Sequence, residues 1–140
     1  MSQSLSIEVL MDSAYDGALN TVINALRVEG FGILTRIDVQ AIVKEKMEEE
    51  YHPYVILGAC NPPYAFRSLA HEPRAGLLLP CNVIVEEAPR GGTLVRLADP
   101  VTQLEGAGDL KDDPTLQRIA AELREQLQRV AASLGKPAPR

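Results

Sequence analysis

LPCNVIVEE, residues 79–87, and TLVRLA, residues 93–98, alternate around the short connector APRGG. Alternation at a period of two places successive side chains on opposite faces of a strand, and a glycine-rich connector of this length joins antiparallel neighbours. This hairpin constrains the fold most. It argues against a doubly wound parallel sheet and in favour of an α+β domain with one mixed or antiparallel sheet.

The rest of the chain supplies the other elements. LSIEVLM puts Leu5, Ile7, Val9 and Met11 on one face of a first strand. Ser13, with Asp16 three residues on, has the form of a capping box for a helix whose stripe is Ala18, Leu19, Val22, Ile23 and Leu26, stopped by Gly30. FGILTRIDV reads as a second strand with Ile33, Ile37 and Val39 aligned. Asp38 then caps a surface helix with only Ala41, Ile42 and Met47 as apolar positions. The glutamates at its end oppose the helix dipole. YVILGA is a continuous apolar run, suited to a central strand buried on both faces. Asn61 and Pro62 open a short helix carrying Ala65, Phe66 and Leu69, and HEPRAG reads as loop.

Asp99-Pro100 and Asp113-Pro114 repeat the cap-plus-proline start. The second opens the clearest helix, with a stripe from Leu116 through Ile119, Leu123, Leu127 and Val130 to Leu134, and Gly135 as its stop. The expected order is β-α-β-α-β-α-β-β-α, about five strands in a single domain over residues 1–135, with a disordered tail over 136–140.

Composition narrows the functional classes. A length of 140 residues suits one core. Aromatics are only 4% and Trp is absent, so a platform of stacked aromatics is not expected. A net charge of −5 with scattered Lys and Arg disfavours nucleic acid as a partner. No apolar run reaches membrane-spanning length, and the start lacks the pattern of a secretion signal. Two cysteines in such a chain read as reduced thiols of a cytoplasmic protein.

Both cysteines precede an asparagine: Cys60-Asn61 at the end of the third strand and Cys81-Asn82 at the start of the fourth. Strand ends are where pockets form in sheets of this type, so a facing pair can hold a ligand or form a reversible disulfide; the plain alternative is two small buried hydrophobes. Asn61 is expected to cap its helix. Asn82, inside a strand, either points into a polar pocket or pins a neighbouring loop, because an unpaired buried amide is costly. Arg36 and Asp38 share a strand face and can pair with Glu86 or Arg96; Arg36 with Arg67 is also a candidate anion site. His52, Cys60, His71 and Cys81 match no zinc spacing, so no metal is expected, and the residues name no cofactor. No Ser-His-Asp order, dinucleotide fingerprint or P-loop is present.

GFGILTRIDV, YVILGACNPPYA and GLLLPCNVIVEE, followed by the hairpin and Asp99-Pro100, resemble the family called domain of unknown function 302. The resemblance runs from about Leu5 to Leu134. It implies a small bacterial or archaeal α+β domain, a homodimer, and no established activity. It maps the family's Cys-Asn segments onto Cys60, Asn61, Pro62, Cys81 and Asn82. The expected function is a cytoplasmic, homodimeric module binding a small anionic or thiol-reactive ligand at Cys60, Asn61, Cys81 and Asn82. The alternative is a thiol enzyme or redox switch using Cys60 and Cys81.

Overall fold

In the computed structural model, which describes residues 4–138, six strands form one antiparallel sheet in the order β2-β3-β4-β5-β1-β6. The strands are β1 (Ser6–Met11), β2 (Gly32–Asp38), β3 (Tyr54–Cys60), β4 (Cys81–Glu87), β5 (Thr93–Ala98) and β6 (Lys136–Pro137). The helices are α1 (Tyr15–Val28), α2 (Val39–Met47), α3 (Pro62–His71), α4 (Pro100–Glu105) and α5 (Pro114–Leu134), with 3-10 turns at Pro73–Leu78 and Gly108–Asp112. Every strand pairing is antiparallel, and β4 and β5 make the expected hairpin.

The core lies on one side of the sheet. Val9, Met11, Val55, Leu57, Val83, Val85, Val95 and Leu97 point from the strands towards α1 and α5. Those helices answer with the stripes read from the sequence: Ala18, Leu19, Val22 and Leu26 from α1, and Ile119, Leu123, Leu127 and Val130 from α5. A smaller cluster of Ala75, Leu104, Leu110, Leu116 and Ala120 seals the start of α5 against α4 and the 3-10 turns. The opposite face carries Leu10, Leu94, Ile84 and Ile56 half-buried and Ile37 exposed. No residue of that face belongs to the core, and α2 buries none of its side chains.

Several local expectations change. A sixth strand forms where a tail was expected: Lys136 and Pro137 pair with Leu10 and Val9, because the chain leaving α5 returns alongside the edge of β1. Pro139 and Arg140 of that tail, and residues 1–3 of the expected domain, lie outside the described residues. Helix α1 is capped by the backbone of Ala14 rather than by Ser13, whose carbonyl accepts the Thr93 hydroxyl at 2.9 Å. A register shift between Ile33 and Thr35 breaks the alignment expected along β2, and Val39 already belongs to α2. Strand β3 is central but not buried on both sides. Val55, Leu57 and Ala59 are buried against the helices, while Ile56 faces the open side. Helix α3 turns Tyr64 and Ser68 inward and leaves Phe66 72% exposed, so the stripe expected through Phe66 and Leu69 is its outer side. HEPRAG is not wholly loop: Glu72 caps a 3-10 turn by accepting from the Arg74 amide.

Gly58 shows why a continuous apolar run contains a glycine. A Cβ there would sit 2.2 Å from Thr35 Oγ1 and 2.9 Å from Pro80 Cγ. The open face is therefore closely packed at this end of the sheet, and only a residue without a side chain fits.

Candidate functional site

Cys60 and Cys81 stand at the same end of neighbouring strands, but the register keeps them from facing each other. Cys81 is directly opposite Ala59 and shares its buried, helix-side face. Cys60 is the next residue along β3, so strand alternation turns it to the other face, where it is half-buried. Both thiols are free. Burial pushes the Cys81 thiol up to about 11, and the neighbouring Cys60 adds to the rise. Cys81 is thus a neutral thiol at physiological pH, with little nucleophilic character.

The asparagines separate in the same way. Asn61 occupies the cap position of α3, yet its side chain makes no capping bond. Its Nδ2 donates to the Glu29 carbonyl at 3.3 Å and to Gln126 Oε1 at 2.8 Å, tying the ends of α1 and α3 to α5. The expected cap is overridden because a buried amide finds two acceptors on other helices. Asn82 lies opposite Gly58 on the open face and is exposed, neither in a buried pocket nor pinning a loop. Cys60 and Asn82 therefore share the open face, whereas Cys81 and Asn61 lie on the helix side.

The basic candidates go elsewhere. Arg36 lies opposite Leu57 on the helix side, at the exposed edge strand. Its charge and that of Asp38 are felt by Tyr15 of α1, whose phenol is raised first by burial and then by Asp38. Neither Arg36 nor Asp38 pairs with Glu86 or Arg96, which sit on the opposite face and pair with each other. Arg67 stacks on the Tyr64 ring, 4.6 Å from its centroid, and reaches Glu122 at 3.5 Å. Arg36 and Arg67 do not form a joint anion site.

One feature of the Cys-Asn region does have the form of a binding site. A cavity of ≈ 50 Å³ opens between the start of β4, α3 with its following 3-10 turn, and the α4–α5 pair. Ser68, Leu79, Cys81, Leu104, Leu116 and Ala120 are among its lining residues. The Ser68 hydroxyl is spent on the Tyr64 carbonyl at 2.9 Å, so the mostly apolar wall is interrupted chiefly by Gln103 and the Cys81 thiol. Sequence patterns do not reveal this cavity, because its walls come from segments far apart in the chain. The only signal is the small residues Ala75 and Ala120 beside leucines.

The open face holds a second grouping that the sequence paired differently. Arg96 Nε donates to Glu8 Oε2 at 3.1 Å, its Nη1 bonds Glu86 Oε1, and His52 Nε2 lies 2.7 Å from Glu86 Oε2. His71 is committed to Asp113 at 2.8 Å. The two histidines are thus held apart from the cysteines, and among the described residues no three His, Cys, Asp or Glu side chains gather as a metal site.

The family described as Domain of unknown function DUF302 matches residues 7–134. The chain belongs to the DUF302 family. Its fold agrees with a solved member, the crystal structure of an uncharacterized conserved DUF302 protein from Bacillus stearothermophilus. The two share 28% sequence identity over 94% of this chain and 99% of that one, with a TM-score of 0.83. No curated protein matches the chain. The likeness carries the whole DUF302 architecture but no reaction. Among the described residues no helix of this DUF302 chain is long and apolar enough to cross a membrane.

Proposed function

We propose that this DUF302 protein is a small-ligand-binding module of the cytoplasm that works as a homodimer. The observation that carries the ligand reading is the largely apolar cavity that Cys81 helps to line. A concave, largely apolar site with a few polar groups, here Gln103 and the Cys81 thiol, is the form small-molecule pockets take. Its size suits a ligand, or part of one, of only a few heavy atoms. The neutral thiol offers a soft, polarizable contact. Recognition therefore centres on Cys81 and the surrounding leucines. Cys60, Asn61 and Asn82 do not line this cavity.

A thermal-shift screen with small apolar and thiol-reactive compounds tests this reading. Binders are expected to raise the melting temperature of the native chain. Ala120→Met, which fills the cavity, is expected to abolish the shift while the far-ultraviolet circular dichroism stays native. A shift that survives the filled cavity places binding elsewhere and refutes the reading.

A thiol-based function is the second reading, and its support is the half-buried position of Cys60 on the open face. It has no ready resolving partner, because Cys81 is held protonated and turned to the other side of the sheet. Rapid alkylation of Cys60 in folded protein, followed by a disulfide to Cys81 under mild oxidation, would favour this reading over ligand binding.

A further inference from the structure

We infer that the cavity beside Cys81 selects a short, uncharged aliphatic molecule with a carboxamide-like head group and rejects ions of the same shape. This names the ligand class of the binding reading above and rests on that reading. The wall is built of leucine, isoleucine, alanine and proline, and its polar positions are Ser68, Cys81 and Gln103. None of these lining residues carries a charged side chain at neutral pH. Three wider recesses, of ≈ 490, ≈ 320 and ≈ 460 Å³, each include charged side chains such as Glu8, Glu86 or Arg96. The cavity beside Cys81 differs from them in this respect.

The helices and the 3-10 turn that supply the wall do carry arginines, but these hold carboxylates. Arg67 is paired with Glu122, Arg74 with Glu72 and Asp109, and Arg124 with Asp99. An ion entering the cavity therefore loses its water without meeting a counter-charge in the wall. A buried charge left unpaired is costly, whichever its sign. Cys81 reports the same property from within. Burial, with Cys60 adding to the effect, pushes its thiol up to about 11, so negative charge is disfavoured at this spot.

Gln103 sets the head group. It stands in α4, and its side chain makes no hydrogen bond among the described residues. A carboxamide presents N–H donors and a carbonyl acceptor side by side, and an amide on the ligand answers both. The Cys81 thiol adds a weak donor and a soft contact. Size sets the rest. One water needs about 10–15 Å³ of such space, so ≈ 50 Å³ takes about three to five heavy atoms. Propionamide, propionate and propylammonium are of that size and differ in charge.

Amide chemical shifts of isotope-labelled protein, followed at neutral pH during titration with these compounds and with xenon, test the inference. Xenon shows whether the cavity accepts an apolar guest. Propionamide is expected to shift the amides of Cys81, Leu104 and Ala120, with a dissociation constant on the order of millimolar for so few atoms. Propionate and propylammonium are expected to bind at least about tenfold more weakly. Gln103→Leu is expected to weaken propionamide at least about tenfold and to leave xenon bound. Propionate or propylammonium binding as tightly as propionamide overturns the charge selection, while the ligand-binding reading stands. Xenon binding without propionamide, or propionamide binding unchanged by Gln103→Leu, overturns the assigned class and again leaves that reading standing. Propionamide shifts that persist in Ala120→Met, or no binding of xenon and propionamide alike, defeat both. If Ala120→Met does not fold, Gln103→Leu decides, because Gln103 is only half-buried and outside the core clusters.

Discussion

Cys81 sits opposite Ala59, and that single register position governs its chemistry. Facing the helices, it is desolvated and pushed up to about 11. Its thiolate is therefore scarce near neutral pH, and alkylation of folded protein by iodoacetamide is expected to be roughly 10²–10³-fold slower at Cys81 than at an unperturbed cysteine. Mass spectrometry of the labelled protein checks this, and the rate should climb as pH approaches the raised value. Asn61 illustrates a different residue-level outcome. Its sequence context reads as a cap, but its amide instead joins Glu29 and Gln126. Asn61→Ala leaves those acceptors without their donor in a buried setting and is expected to cost about 1–3 kcal/mol, measured by urea unfolding. The residue types of the Cys-Asn pairs are plain in the sequence. Their directions are not, because a shift of one residue along a strand reverses the face.

Helix α5 was the most legible element, and its start explains why. Asp113 accepts from the amides of Thr115 and Leu116, Pro114 takes the first helical position, and an unbroken apolar stripe follows. The hydrogen bond from Leu116, then that from His71, holds the Asp113 carboxyl below its ordinary range. A carboxyl lowered in the folded state stabilises that state above the unfolded pKa of about 3.9, and the contribution is lost as pH falls through the folded value. Asp113→Asn is accordingly expected to melt below the native chain at pH 6, with the gap narrowing as pH drops under about 4; thermal melts across that range check it. Strand β2 was the least legible element. Ile33 and Ile37 look like one face in the sequence, but the shift at Thr35 moves them out of phase. Ile33 packs against the core while Leu34 and Ile37 are left to solvent, and periodicity alone cannot register an inserted residue.

At the scale of the molecule, the last residues close the sheet. Lys136 and Pro137 cover part of the β1 edge, and the Ala138 amide donates to the Glu8 carbonyl at 3.2 Å. Truncation after Gly135 exposes that edge, and we expect a lower melting temperature and greater aggregation on heating, read by light scattering. The amino-acid sequence by itself determined the α+β class, the hairpin, the core stripes of α1 and α5, and the two caps at Asp99 and Asp113. These are local matters: periodicity, capping and turn chemistry act within a few residues. Only the tertiary structure decided which face each cysteine took, that a cavity forms beside Cys81, and that Glu86 meets Arg96 and His52 rather than Arg36. Those outcomes depend on the register between strands and on helices docking from distant parts of the chain, and neither is written in any one segment.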